Sequence, residues 1–396
     1  MSDDDVVIAA VARTPMGSFQ GVFKGLTAPD LGAAAIRSAV EKAQIGVDQI
    51  EEVVMGCVLP AGQGQAPARQ ASLGAGVPLS AGCTTINKMC GSGMKAMMFA
   101  HDTIAAGSNK IAIAGGMESM TNSPYLLPRA RSGYRLGHQE VKDHMFLDGL
   151  EDAYEKGRLM GSYAEDCAEM YKFSREDQDA FAMSSLERAK RANEGGSFDW
   201  EIVPVSAPKG KEEILVKLDE SPFNADINKI PNLKPAFKKG GTVTAANSSS
   251  ISDGAAALVL MSRRAATELQ IEPIARIVAH STHAHEPGLF TTAPIGALDK
   301  LLAKSGWSIK DVDFFEINEA FAVVPMAAMR AHSIDHEIVN VHGGACALGH
   351  PIGASGARIL VTLIGILRKF EGRRGVASLC IGGGEATAVA VEMETT

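Results

Sequence analysis

The sequence holds no Cys-x-x-Cys pair and no cysteine–histidine spacing that suits a structural zinc site. Its six cysteines, at positions 57, 83, 90, 167, 346 and 380, are therefore expected to be free thiols in a reducing compartment. Basic residues do not cluster, and the formal net charge is −8, which argues against nucleic acid as a partner. The longest clearly apolar run, Ile359 to Leu367, falls far short of the roughly 20 residues that span a bilayer. No membrane association is expected. The opening Met-Ser-Asp-Asp-Asp lacks the basic residues of a secretory signal or transit peptide, so the expected location is cytoplasmic. No GxxxxGK[ST] phosphate loop occurs, and no GxGxxG follows a strand in a dinucleotide-binding setting. His280, His283 and His285 match no metal motif, and no bound metal is expected.

What is present is length, glycine and a repeat. A chain of 396 residues is too long for one typical core. Glycine occupies 41 positions, many of them clustered at Cys90-Gly-Ser-Gly, Gly115-Gly, Gly343-Gly, Gly353 to Gly356 and Gly382-Gly-Gly. Such clusters mark tight turns and close backbone approaches. A helix at Leu31–Gln44 followed by a strand at Glu52–Gly56 returns as a helix at Ile295–Ala303 and a strand at Val312–Ile317. A helix opening at Gly91 and a strand at Lys110–Ala114 return as a helix opening at Gly353 and a strand at Val376–Cys380. Strands alternating with helices in a repeat point to a duplicated, layered α/β fold.

Between the halves the composition changes. Thr121 to Ser250 carries 39 charged residues in 130 positions, against 45 in the remaining 266. This reads as an insertion over the core, and such insertions often carry binding sites.

Four places offer chemistry. Cys90 precedes a long helix, where unpaired N–H groups and the helix dipole are expected to lower a thiol pKa. An isolated cysteine there is more often structural. His350, in Gly349-His-Pro-Ile-Gly-Ala-Ser-Gly, is the repeat counterpart of the Cys90 loop, so a twofold pairing of the halves brings it toward Cys90 as an activating base. Alone, it would more commonly be a loop histidine held by a carbonyl. Cys380 ends a strand before Gly382 and reads either as core or as an acid/base thiol. Asn318 reads either as a helix cap or as a group that orients water.

Asn87-Lys-Met-Cys-Gly-Ser-Gly, Asn318-Glu-Ala-Phe-Ala, Gly349-His-Pro-Ile-Gly-Ala-Ser-Gly and Leu379-Cys-Ile-Gly-Gly-Gly, in that order, resemble the thiolase family, with the biosynthetic acetyl-CoA acetyltransferases as the nearest type. The resemblance runs nearly end to end. It implies duplicated α/β domains in α-β-α-β-α layers: residues 1–120 with 245–272, an inserted loop domain over 121–244, and 273–396. It implies a ping-pong Claisen condensation of two acetyl-CoA to acetoacetyl-CoA and CoA, and the reverse thiolysis. Cys90 would be the acylated nucleophile, His350 its activator, Cys380 the acid/base, and Asn318 the holder of a water. The N–H groups of Cys90 and Gly382 would form an oxyanion hole. Coenzyme A, a substrate rather than a resident cofactor, would contact Leu150, Met160, Phe237, Ser249 and Phe321. A homo-oligomer, dimer or tetramer, is implied as well.

Three positions depart from the family pattern. Leu159 replaces the histidine of His-Met-Gly, His342 replaces the asparagine of Asn-Gly-Gly, and Phe290 stands where the acyl pocket is lined. The alternatives are a broad-chain degradative 3-ketoacyl-CoA thiolase, a condensing enzyme of the ketoacyl-synthase type, and a catalytically silent acyl-CoA or lipid-binding protein.

Overall fold

The computed structural model describes residues 5–394, so most of the acidic opening read above, residues 1–4, lies outside it. The strands β1 (Val6–Arg13), β2 (Glu52–Gly56), β3 (Gly82–Ile86), β4 (Ile111–Ser119), β5 (Ser252–Ser262), β6 (Ala275–Ala284), β7 (Phe314–Ile317), β8 (Arg374–Ile381) and β9 (Glu385–Met393) belong to one sheet. Their spatial order is β7-β8-β9-β6-β1-β5-β4-β2-β3, and the short strand Gly17–Ser18 joins β5 at its start. The two halves meet where β1 pairs with β6, through Val7 opposite Arg276 and Ile8 opposite Ala275. Each half mixes parallel pairs, β2 with β3 and β4, and β7 with β8, with antiparallel ones. β1, β4 and most of β5 are buried on both faces, as their near-continuous apolar runs require.

The helices explain that burial. α1 (Ala28–Ala43) packs on the outer face of the first half, against β1, β4 and β5. Thr27 and Asp30 cap it reciprocally, and its buried positions form one stripe. After the inserted segment's α3 (Met160–Tyr171) and α4 (Arg175–Glu194), α5 (Ala293–Ser305) packs on the outer face of the second half, against β6 and β9. α2 (Ser92–Ala105) and α6 (Ile352–Lys369) lie between the halves and against each other. Every residue of α6 from Ile352 to Leu367 is buried, which fits a helix apolar all round. The layers are α-β-α-β-α.

The strand expected to end at Gly115 continues to Ser119. The physical reason is that its glycines are contact points rather than turn points. A Cβ at Gly116 would lie 2.0 Å from Gly353 O at the start of α6. A Cβ at Gly93 would lie 2.8 Å from Ala357 N, and one at Gly356 would lie 2.5 Å from Met94 N. Small residues therefore let the N-terminal ends of α2 and α6 pack backbone to backbone, and the loops before those ends carry Cys90 and His350.

The inserted segment is tied to the sheet by a buried ion network. Arg13, the last residue of β1, donates to Glu201 Oε1 at 2.5 Å and to both carboxylate oxygens of Asp219 at 2.7 and 3.0 Å. Thr362 of α6 also donates to Glu201 Oε1, at 3.0 Å. No helix among the described residues is long and apolar enough to cross a membrane.

Candidate active site

The loop before α2 is locked by its own polar groups. Asn87 Oδ1 accepts the N–H of Met89 at 2.9 Å, and Ser92 Oγ accepts the N–H of Lys88 at 2.8 Å. Ser92 Oγ donates in turn to Met89 O at 2.6 Å. Met89 holds φ +47°, a left-handed conformation that costs a non-glycine residue energy. That turn presents the partly buried Cys90 at the mouth of α2.

Cys380, fully buried, sits on β8 opposite Ala386. The turn to β9 passes through Gly383 and Gly384 at φ +95° and +84°, which fits glycine at both. Gly382 ahead of them turns its N–H toward the Cys90 thiol. The two thiols are near enough that a charge on Cys90 raises the pKa of Cys380. Burial pushes both thiols up, Cys90 to about 11, against the opposing pull of the N–H groups of Gly382 and Cys90 itself. The lowered Cys90 pKa expected from the helix terminus is not found, because desolvation outweighs the backbone donors.

His350 is buried, and burial holds its pKa down to about 3, so the ring is neutral. Its Nδ1 lies 2.5 Å from Ser355 Oγ and 3.5 Å from Asn318 Nδ2. Ser355 Oγ donates to Pro351 O at 3.0 Å, so it accepts a proton from Nδ1. This assignment, made from the hydrogen-bond network, leaves the lone pair on Nε2, which has no protein partner. Asn318 is not a helix cap. Its N–H bonds Ser378 O at 3.0 Å, beside β8, and its Oδ1 lies 3.5 Å from the Arg358 guanidinium, which pairs with Glu316 at 3.3 Å.

Two buried carboxylates hold these loops. Glu118 on β4 accepts the N–H groups of Val58 at 2.9 Å, Leu59 at 3.1 Å and Gly353 at 2.9 Å. Glu319 accepts from Ser185 at 2.7 Å, Asn340 at 2.8 Å and the N–H of Cys346 at 3.0 Å.

Of the residues expected to contact coenzyme A, Leu150 packs with Cys90, Val58 and Ile352. Met160, Phe237 and Phe321 share a cluster with Cys380, Phe290 and Tyr163. Phe321 meets Phe237 at 6.0 Å and Phe290 at 6.5 Å between ring centroids, both edge-on. Met160 Sδ lies 3.7 Å from where a Cβ on Gly382 would stand. Ser249 borders the same wall, its N–H bonded to Ala320 O at 2.9 Å.

The model of the thiolase N-terminal domain matches residues 6–264, and that of the thiolase C-terminal domain matches residues 271–393. The chain belongs to the thiolase family. Among thiolase relatives, an acetyl-CoA acetyltransferase 2 of Arabidopsis thaliana is 51% identical over 98% of this chain and 97% of its own length. An acetyl-CoA acetyltransferase of Schizosaccharomyces pombe is 46% identical over 99% of this chain and 100% of its own. Among solved structures, the Bacillus anthracis acetyl-CoA acetyltransferase superposes with a TM-score of 0.96 at 40% identity, covering 98% of this chain and 99% of that one. An Ascaris suum thiolase in complex with coenzyme A gives 0.93 at 41% identity, covering 98% and 100%.

Several residues of this thiolase site escape a reading by motif. Ser355 lies inside a quoted motif, but its contact with His350 depends on the first turn of α6 folding back. Glu118 follows Gly115-Gly-Met, a segment read only as not being a phosphate loop. A lone glutamate in an apolar strand was the signal available.

Proposed function

We propose that this thiolase catalyses the reversible condensation of two acetyl-CoA molecules to acetoacetyl-CoA and CoA through an acyl-enzyme on Cys90. The observations that support the proposal are the Gly382 N–H and the Cys380 thiol beside Cys90, the neutral His350 beside Asn318, and the Phe290–Phe321 cluster that holds Cys380. The extent of identity to acetyl-CoA acetyltransferases supports the same reading.

Each residue then has a step. His350 Nε2 takes the Cys90 proton as sulfur attacks the thioester carbonyl, and returns it to the departing CoA thiolate. The N–H groups of Cys90 and Gly382 stabilise the carbonyl oxygen of the acyl-enzyme. Cys380, as thiolate, removes the α-proton of the second acetyl-CoA. His350 and a water held by Asn318 stabilise the enolate oxygen. The enolate carbon attacks the Cys90 acyl group and expels the Cys90 sulfur as thiolate, which takes the proton held by Cys380, so both thiols return to their starting states. A buried, raised-pKa Cys380 suits this work, since its thiolate is a strong base and its thiol a ready acid for the strongly basic carbanion of thiolysis. Leu150, Met160, Phe237, Ser249 and Phe321 line the path for coenzyme A.

Phe290 supports a short acyl group. It is 3% exposed, and its ring meets Tyr163 and Phe321 edge-on, so it stands as a wall in the cluster that holds Cys380. CoA-dependent cleavage of acetoacetyl-CoA, 3-ketohexanoyl-CoA and 3-ketooctanoyl-CoA tests the reading. Rapid cleavage of the first alone supports it, comparable rates on all three make this a broad-chain degradative thiolase, and no cleavage by folded, reduced protein makes it a silent acyl-CoA binder.

We further propose a cytoplasmic homo-oligomer, dimer or tetramer. The unpaired cysteines and the exposed Tyr125, Leu127 and Leu136 of the inserted segment support it. Sedimentation decides the oligomeric state.

A further inference from the structure

Far from the two thiols, the last turns of α2 meet β6. Asp102 Oδ1 accepts a hydrogen bond from His101 Nδ1 at 3.0 Å and from His280 Nε2 at 2.8 Å. The two imidazole rings stand edge-on, 5.0 Å apart between centroids. The three donor atoms all lie within 4.8 Å of one another. The histidine side chains are mostly buried, at 20% and 16% exposed, whereas the Asp102 carboxylate is 52% exposed. Two imidazole rings thus aim N–H groups at one oxygen of a carboxylate that faces water. The grouping of His280 with His283 and His285 in the sequence is not the relevant one, because its partners come from the other half of the chain.

We propose that His101, Asp102 and His280 bind a borderline divalent transition metal ion, with zinc as the type case and water completing the coordination. Two imidazoles and one carboxylate form a donor set that suits zinc, copper or nickel and disfavours magnesium and calcium, which prefer all-oxygen sites. A tetrahedral zinc with bonds of roughly 2.0–2.1 Å holds its ligands about 3.4 Å apart. The present donors reach that spacing by side-chain rotation, with one ion replacing the two shared protons. The charges of Lys95 and Lys304 act on this cluster, and Lys304 Nζ bonds His280 O at 3.0 Å. They reduce the attraction for a cation, so binding is weaker than in a closed structural site.

The ion would be structural rather than catalytic. Eleven positions separate His101 from Cys90, and a helix rises about 1.5 Å per residue, which places it on the order of 16 Å from the thiol. It would clip α2, from the first half, to β6, from the second. Because α2 begins two residues beyond Cys90, the clip fixes the far end of the helix that presents the nucleophile.

The test uses the purified full-length chain, stripped with chelator and titrated with Co2+ and Zn2+ under reducing conditions. Cys90 is itself a potential ligand, so Cys90→Ser is titrated in parallel. The expected result is about one ion per chain in both proteins, with visible Co2+ bands and no thiolate charge-transfer band. His101→Gln and His280→Gln lose stoichiometric binding, and Asp102→Asn weakens it at least tenfold. Electron paramagnetic resonance of the Cu2+-loaded wild-type chain shows two coupled nitrogens, a readout that does not depend on a variant folding. The proposal is overturned if wild type binds no ion, if both histidine variants bind as wild type does, or if the spectra report sulfur ligation.

Discussion

Ser355 Oγ stands 2.5 Å from His350 Nδ1, and that contact determines which nitrogen of the histidine is free to act. The serine donates its own O–H to Pro351 O, so it accepts the Nδ1–H of the ring and leaves the lone pair on Nε2. Ser355→Ala removes the acceptor and lets the tautomers mix. The expected outcome is a kcat for thiolysis roughly 10- to 100-fold lower, the effect of about 1–3 kcal/mol for an unpaired buried donor, with KM little changed. An unaltered kcat means the serine does not set the tautomer.

Burial leaves Cys90 a neutral thiol and His350 a neutral imidazole rather than a preformed ion pair. Cys90 is raised to about 11 and His350 lowered to about 3, both by burial. Raising the pH therefore increases the Cys90 thiolate, whereas His350 is already deprotonated at any pH above about 4. Alkylation of Cys90 by iodoacetamide, followed by peptide mass spectrometry, is expected to accelerate steadily from pH 7 to pH 10 without a plateau. A rate that levels off near pH 6 would instead reveal a stable thiolate–imidazolium pair.

Glu118 couples the site to pH by a different route. Burial raises its carboxyl to about 7, above the ordinary value of 4.5. The folded state therefore binds a proton more tightly than the unfolded state. The contribution to stability is full below about pH 4.5 and is lost as pH rises through about 7. Glu118→Gln removes that dependence and turns an amide N–H toward one of the backbone donors at Val58, Leu59 or Gly353. The prediction is a loss of about 1–3 kcal/mol in stability, seen in urea unfolding, together with a flatter stability–pH curve between pH 5 and 8.

Much of this organisation is legible in the sequence. Gly93, Gly116, Gly353 and Gly356 stand in the glycine clusters, and they are where α2, β4 and α6 touch. The repeat brings the Cys90 and His350 loops to the same seam, because equivalent helices pack there. The electrostatic outcome at Cys90 was not legible: a helix terminus is visible in sequence, whereas the depth of desolvation depends on Leu150, Ile352 and other side chains brought in from distant segments. The same holds for the partners of buried charges. Arg13 finds Glu201 and Asp219 about 200 residues away, and nothing local announces either.

That network yields a stability prediction. Arg13→Met leaves Glu201 and Asp219 buried without their cation. Breaking such a pair costs about 3–5 kcal/mol, so a shift of that size toward lower urea is expected in the unfolding midpoint free energy. Double replacement of Arg13 and Asp219 by apolar residues should recover part of the loss. If Arg13→Met alone is neutral, the network does not anchor the inserted segment.

The division of labour between the two thiols is the central claim, and Cys380→Ser tests it most directly. The variant is incubated with acetyl-CoA, digested and mapped by mass spectrometry, and its condensation and thiolysis rates are measured beside those of Cys90→Ser. The account predicts an acetyl group on the Cys90 peptide of Cys380→Ser, with condensation reduced by at least 100-fold, and no acetylated peptide from Cys90→Ser. An acetyl group on Cys380, or condensation at the wild-type rate in Cys380→Ser, would contradict it.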